Sequence, residues 1–325
     1  VYKVHQFIYL NFTKFRSVCQ LYTCTPNVRR AVEAQFENRS RKAMLGNCAE
    51  WHLGVKYTII YLCGKENGWM ESGCYTGMAA LYDTLMQDVD YDRWTDSLVR
   101  LIERYGDVVH DDRIRIIDCA CGTGAITVRL AERGMELTGL DCSEDMLRFA
   151  SEKAMRAGLR IPFVHMDMRS IAVHRRADAV VCCCDGVNYL TDERAVNSFF
   201  RSAHAALHPG GLLLFDVSSA YKLEHVLGCN TMGEDRAECT YLWENMYDPA
   251  SRLLEMRLHF FVPDGRGRYR RFDERHIQRA HRTEELAALL ERSGFSLLSI
   301  TEALTDAAPA ETSERIQFAA RRNEE

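Results

Sequence analysis

The chain of 325 residues has no Cys-x-x-Cys pair although it carries 13 cysteines, so nothing seeds a structural zinc site and none is expected. Cys182, Cys183 and Cys184 are consecutive within an apolar run, where thiols act as small hydrophobes. No Gly-Lys-Ser or Gly-Lys-Thr occurs, which excludes a P-loop. No apolar run is long enough to cross a bilayer. The opening stretch Val1 to Leu21 is broken by Lys3, His5, Lys14 and Arg16, a poor signal peptide. The expectation is a cytoplasmic protein with reduced thiols.

Beyond residue 69 acidic side chains outnumber basic ones. Residues 1–69 hold 10 Lys+Arg and 4 Asp+Glu, a net of +6; subtraction from 41 and 46 leaves 31 and 42 for the remainder, a net of −11. An acidic body argues against a polyanionic substrate. Residues 1–69 also lack sustained periodicity and clean helix caps. The texture changes at Met70, and the preceding Lys65-Glu66 can be encoded AAGGAG, a bacterial ribosome-binding sequence. Residues 1–69 are therefore expected to be translated upstream sequence or a poorly ordered extension, with the working domain at 70–325. A basic extension that binds a partner is a further alternative.

What remains is regular. A helix is expected over Asp88–Tyr105, with Asp90 or Asp92 near its start. Strands follow at Ile114–Ile117, Glu136–Leu140, Ile161–Met166, Ala177–Cys183 and Leu212–Phe215. Helices between them cover Gly124–Arg133, Ser143–Ala157 and Asp192–Leu207. Apolar strands alternating with amphipathic helices predict a doubly wound, mostly parallel α/β sheet. After Phe215 the rhythm breaks. Thr240–Tyr247, Arg252–Val262 and Arg268–Arg279 alternate partially and are joined by turns, which predicts an antiparallel β insertion over 236–282. A helix at Thr283–Arg292 and strands at Phe295–Ala303 and Arg315–Ala320 close the domain.

Chemistry concentrates at strand ends. The first strand runs into Asp118-Cys119-Ala120-Cys121-Gly122-Thr123-Gly124, a small-residue turn that opens a helix. Asp141 ends the second strand, where a carboxylate can take both hydroxyls of a ribose. Asp167-Met168 ends the third, placed to meet a base. Three such sites in succession describe a nucleoside pocket. A nicotinamide cofactor is disfavoured because Thr127 stands where a third glycine is needed. Asp118 as a turn cap and Asp141 as the acid before the next helix are the plainer alternatives.

The Ile116–Gly124 segment resembles motif I of class I S-adenosylmethionine methyltransferases, and Asp141, Asp167 and Cys182–Asp185 look like the later motifs in order. The resemblance covers about Tyr75 to Arg321. It is nearest in texture to the small-molecule and sugar-amine group, whose Tyr-Asp helix is matched by Tyr82-Asp83 and whose cap is matched by 236–282. The resemblance implies a Rossmann-like, seven-stranded methyltransferase fold with S-adenosyl-L-methionine as cofactor. Asp118 and the turn of Ala120, Cys121, Gly122 and Gly124 would face its methionine part, with Tyr82 reaching the carboxylate. Asp141 would hold the ribose, Cys142 and Met146 would flank the adenine, and Asp167 with the Met168 N–H would read its edge. Cys184 would close the pocket. Ala120 departs from the family, which has glycine there; a left-handed backbone would then cost about 1 kcal/mol.

Methyl transfer from a sulfonium is an in-line displacement that needs alignment, and a base only where the acceptor is protonated. Asp185, Asn188 and His276 are the expected catalytic candidates, with Tyr189 and Trp243 nearby. An exposed-strand position is the plainer reading of His276. The partner expected is a small-molecule acceptor, with neither nucleic acid nor membrane. An RNA or protein methyltransferase, a noncatalytic S-adenosylmethionine-binding regulator and a nucleotide-dependent oxidoreductase are the alternatives.

Overall fold

A computed structural model describes residues 71–72, 75, 77–106 and 113–324. The expectation for 1–69 lies outside these described residues. The elements are β1 (Glu71–Ser72), α1 (Ala79–Leu85), α2 (Tyr91–Tyr105), β2 (Arg115–Cys119), α3 (Ala125–Glu132), β3 (Glu136–Asp141), α4 (Glu144–Arg156), β4 (Phe163–His165), β5 (Ala177–Cys182), α5 (Glu193–Ala206) and β6 (Leu207–Ser218). Then come β7 (Thr231–Asp235), β8 (Thr240–Asp248), β9 (Leu253–Pro263), β10 (Tyr269–Arg279), α6 (Thr283–Arg292), β11 (Phe295–Glu302) and β12 (Arg315–Arg322). Among the described residues no helix is long and apolar enough to cross a membrane.

Helix starts follow their caps. Asp90 accepts from the Arg93 N–H at 2.9 Å, Ser143 from Met146 at 3.2 Å and Asp192 from Ala195 at 2.7 Å. One seven-stranded sheet runs in the order β11-β12-β6-β5-β2-β3-β4. The pairs from β6 to β4 are parallel, and β12 is antiparallel to both its neighbours. Because β2 leads outward to β3 and β4 before the chain returns to β5, strand order reverses between β2 and β5. A ligand crevice opens at such a switch point, at the carboxyl ends of the strands.

Both sheet faces are covered, as the unbroken apolar runs require. Ile117, Val180, Leu213 and Phe215 pack against Phe199 and Phe200 of α5 and Leu286 and Leu290 of α6. Ile116, Val181 and Leu214 face Trp94, Leu98 and Ile102 of α2 and Leu130 of α3. A second sheet in the order β1-β10-β9-β8-β7 carries the insertion, with β1 parallel to β10 and the other pairs antiparallel. It begins at Thr231, before the expected boundary at 236, because β7 is an edge strand. Its Thr-Met-Gly-Glu-Asp sequence is mostly exposed and shows no apolar alternation. The expected stop at Pro209-Gly210-Gly211 is instead a bulge within β6. Gly210 has φ of +76°, and pairing with β5 slips between Ala177 and Ala179.

Gly139 in β3 shows how tightly the sheet meets the site. A Cβ added there would lie 2.6 Å from the Phe163 ring and 3.0 Å from Cys121 Sγ. Gly139→Ala is expected to destabilise the fold by about 1–3 kcal/mol through overpacking and to loosen the adjoining turn. Urea unfolding together with a cofactor titration checks both.

Candidate active site

The turn after β2 is built from alternating left-handed residues: Ala120 at φ +53°, Gly122 at +54° and Gly124 at +73°. Ala120 therefore does occupy the conformation in which a Cβ is costly, about 1 kcal/mol. Its methyl also sets a demand on its neighbour. A Cβ on Gly186 would come within 3.0 Å of it and 2.7 Å of Cys182 Sγ. The Cys121 N–H donates to Leu140 O at 3.0 Å, and the Gly124 N–H closes the turn on Cys121 O at 2.9 Å.

Asp141 organises this end of the sheet. Its Oδ2 accepts from the Gly122 N–H and its Oδ1 from the Ser143 N–H, each at 2.8 Å. The Cys142 N–H also draws on this carboxylate, which keeps lone-pair capacity for a ligand hydroxyl. Burial pushes its pKa up against the pull of those N–H groups. Asp118, 2% exposed, accepts from Thr127 Oγ1 at 2.6 Å. Burial pushes it up to about 7, with the nearby Asp141 adding to the rise.

A cavity of about 490 Å³ opens over these strand ends. Tyr82, Asp118, Ala120, Cys121, Gly122, Asp141, Cys142, Met146, Asp167, Met168 and Cys184 all line it. Gly124 does not; it caps α3, where a Cβ would press on Ala150 at 3.0 Å and Phe163 at 3.2 Å. Asp167 reaches the rim already engaged. Arg169 Nε lies 3.0 Å from its Oδ1 and 2.9 Å from its Oδ2, and the Arg169 N–H donates to Oδ1 at 2.8 Å. That contact holds the carboxyl below its usual range. An adenine amino group would have to displace part of it.

The lining suits S-adenosylmethionine. It offers a carboxylate with free lone pairs for a diol, thioether and thiol side chains for an adenine face, and a turn close enough for backbone contact.

A second cavity, of about 580 Å³, lies under the insertion's sheet. The two share Tyr75, Tyr82, Tyr91, Cys184 and Tyr189 as walls. The three expected catalytic residues, Asp185, Asn188 and His276, are placed differently from one another. Asp185 lines the second cavity but is held fast: Arg315 Nη2 donates to its Oδ1 and Gln278 Nε2 to its Oδ2, both at 2.8 Å. Arg315 also pairs with Asp216, which is fully buried and accepts the N–H groups of Cys184 and Asp185 at 2.7 and 3.1 Å. Asn188 is a correction. It is fully buried, donates to Ser218 O and Arg279 O at 3.0 Å and accepts from the Ser218 N–H at 2.9 Å. Its amide is spent tying the turn after β5 to β6 and β10, and it lines neither cavity.

His276 is not on an exposed face; it is 3% exposed and lines the second cavity. Its Nε2 lies 3.1 Å from Glu274 Oε2 and its Nδ1 lies 3.1 Å from the Tyr189 hydroxyl. The Tyr189 and Tyr75 hydroxyls are 2.6 Å apart. Glu274, 1% exposed, also accepts the N–H of Tyr75 at 2.9 Å and of Met78 at 2.6 Å. Glu274, Tyr75, Gln278 and Arg315 are absent from the residues expected from sequence. The i, i+2 spacing of Glu274, His276 and Gln278 was a signal, since it puts three polar groups on one strand face.

The family profile described as a methyltransferase domain matches residues 116–211. A Bacillus subtilis (strain 168) protein with the provisional name methyltransferase YqeM is 39% identical over 250 residues, 77% of this chain and 97% of its own. A crystal structure of an S-adenosylmethionine-dependent methyltransferase from Clostridium acetobutylicum ATCC 824 is similar with TM-score 0.69 and 32% identity, over 77% of this chain and 99% of that one. CalS10, an amino pentose methyltransferase from Micromonospora echinaspora solved with its cofactor, shares the fold. Its TM-score is 0.56 and its identity 21%, over 79% of this chain and 99% of that one.

The Asp118 pKa makes a pH prediction. A carboxyl whose folded pKa is raised contributes stability below its unfolded pKa, and that contribution is lost as pH rises through the folded one. The unfolded value is 3.8 and the folded about 7. Asp118→Asn should therefore remove a loss of stability that the native chain shows between pH about 4 and about 7. Urea unfolding across that range checks it; parallel curves for the two proteins would contradict an elevated Asp118.

Proposed function

Since the chain belongs to the S-adenosylmethionine-dependent methyltransferase family, we propose that it methylates a small molecule held in the cavity beneath the antiparallel sheet. The observation that carries this reading is the shared wall of the two cavities. Tyr75, Tyr82, Tyr91, Cys184 and Tyr189 face both, so a cofactor in one and an acceptor in the other would meet there. S-adenosylmethionine supplies, when bound, an electrophilic methyl on a sulfonium with a good leaving group.

The protein's task is then to position. Asp141, pre-aimed by two backbone N–H groups, takes the ribose hydroxyls. Met146 and Cys142 lie against the adenine, and Met168 with Asp167 meets its edge. Asp118 and the Ala120–Gly122 turn face the methionine part, with Tyr82 beside them. Asp185 acts as a fixed strut of the acceptor cavity, because its carboxylate is committed to Arg315 and Gln278. Such preorganisation is worth more than any single contact in a reaction limited by alignment. The insertion at 231–282 serves as the acceptor cap of the 70–325 domain.

A small acceptor is favoured over RNA by the net charge of −11 beyond residue 69. Methyl-labelled S-adenosylmethionine offered with separate metabolite, RNA and protein fractions decides between them. Label is expected in the metabolite fraction, and label in RNA or protein would overturn the reading. Asp141→Ala is expected to weaken cofactor binding at least about tenfold, since charge-assisted hydrogen bonds are worth roughly 1.5–3 kcal/mol each. An unchanged Kd in calorimetry would remove Asp141 from the ribose site.

A further inference from the structure

Building on that reading, we infer that the acceptor is a flat, mainly apolar molecule with a neutral amide-type edge, a lactam or carboxamide, and that Trp243 and Asn245 bind that edge. Strand register brings the two side chains together. Both belong to β8, two positions apart, so they share one face at a spacing of about 7 Å along the strand. Trp243 stands opposite Leu258 of β9 and Asn245 opposite Met256. Trp243, Leu258 and Met256 are walls of the second cavity, and Asn245, 7% exposed, is the next residue of the same face.

The Trp243 indole N–H and both ends of the Asn245 amide are buried without a hydrogen-bond partner among the described residues. Such groups are uncommon in native proteins, and a ligand is one way to meet them. The surrounding layer does not call for an amide, since β9 turns Leu254, Met256, Leu258 and Phe260 to the same side. On the far side of β9 the polar groups of β10 are already bonded. Glu274 and His276 lie 3.1 Å apart, and Gln278 donates to Asp185 at 2.8 Å. Recognition of the acceptor's polar edge therefore falls to β8. Its reacting atom belongs at the other end, at the wall that the two cavities share and that Trp243 does not join.

The unpaired atoms set a definite demand. The indole N–H and the amide NH2 need acceptors, while the amide oxygen needs a donor. A carboxylate or phosphate only accepts, which leaves Asn245 Oδ1 unmet. An ammonium only donates, which leaves both nitrogens unmet. An amide-type edge satisfies all of them: its oxygen has two lone pairs, for Trp243 and Asn245 Nδ2, and its adjacent N–H turns to Asn245 Oδ1. A lone hydroxyl has the same count but lacks the planar, side-by-side match to an amide. Flatness of the body follows from Trp243, Tyr241, Phe260, Leu258, Met256 and Met232 along the cavity. An aromatic ring covers such walls favourably, and a hydrated sugar enters only at a desolvation cost.

The test is calorimetry on the full chain saturated with S-adenosylhomocysteine. The probes are 2-quinolinone, its N-methyl form, quinoline-2-carboxylate, 1,2,3,4-tetrahydroisoquinoline and 2-naphthol. 2-Quinolinone is expected to bind, about threefold to tenfold more tightly than the N-methyl form, as one lost hydrogen bond implies. Trp243→Phe, which keeps a ring, and Asn245→Leu should each weaken 2-quinolinone by a similar factor, and Asn245→Leu should shrink its advantage over the N-methyl form. Asn245→Leu should also leave the ligand-free melting temperature unchanged or raised, because it removes an unpaired buried amide. A marked fall would mean that the amide holds the fold, and would overturn its assignment to a ligand; Trp243→Phe tests the indole contact independently. No binding of 2-quinolinone, tighter binding of the carboxylate, the amine or the naphthol, or equal 2-quinolinone affinity in all three proteins would overturn the amide class. Failure of S-adenosylhomocysteine to bind, titrated separately, would instead overturn the methyltransferase reading beneath it.

Discussion

A carboxylate exposed to only 1% cannot remain unpaired, and Glu274 meets that condition by joining three parts of the molecule. One oxygen accepts from Met78 at 2.6 Å; the other takes Tyr75 N–H and faces His276. The segment before α1 is thereby fastened to strand β10 of the inserted sheet. Tyr75 lies on that segment and Tyr82 on α1, which directly continues it, and both line the two cavities. On its other side the same segment is latched to the parallel sheet's turn. Asp83 accepts from Thr123 Oγ1 at 2.6 Å and pairs with Lys153 at 2.9 Å, and Tyr75 O accepts from Ser143 Oγ at 3.1 Å. The β1–β10 pairing ties the same stretch to the inserted sheet, and the buried Glu274 contact adds to it.

A second constraint fixes the opposite wall. Cys184 and Asp185 are consecutive non-glycine residues at φ +58° and +62°, a conformation that persists only when its surroundings insist on it. Asp216 supplies the insistence by accepting both their N–H groups, and Arg315 balances its charge. Burial drives the Asp216 pKa up while the guanidinium draws it down. The partner that completes this clamp comes from β12, whose antiparallel pairing with β6 sets Arg315 opposite Ser218. The closing strands of the fold thus help shape the floor of the acceptor cavity.

Legibility in the sequence follows the range of the interactions. The parallel sheet and its cofactor ends could be read because each motif is local: a strand, a turn of small residues and a helix cap lie within a few positions of one another. Asp118, Asp141 and the Ala120–Gly124 turn are of this kind, and so is the demand that Ala120 take a left-handed backbone. Asn188 was misread as catalytic because its partners, Ser218 and Arg279, are contributed by distant strands. Arg315 was invisible for the same reason, as its two carboxylates lie about a hundred or more positions away in sequence. Strand β7 escaped notice because an exposed edge carries no apolar period. His276 was noticed, but periodicity alone does not say which face of a two-sided strand another layer covers.

These differences divide the molecule's labour. The first cavity rests on the carboxyl ends of parallel strands, where backbone N–H groups and Asp141 meet. The second cavity rests on the interior of antiparallel strands, where side chains alternate and one face can be rewritten without disturbing the ladder. Substituting Trp243, Met256 or Leu258 would alter the acceptor cavity and leave the turn at Ala120–Gly124 intact, since the two share only the dividing wall of Tyr75, Tyr82, Tyr91, Cys184 and Tyr189.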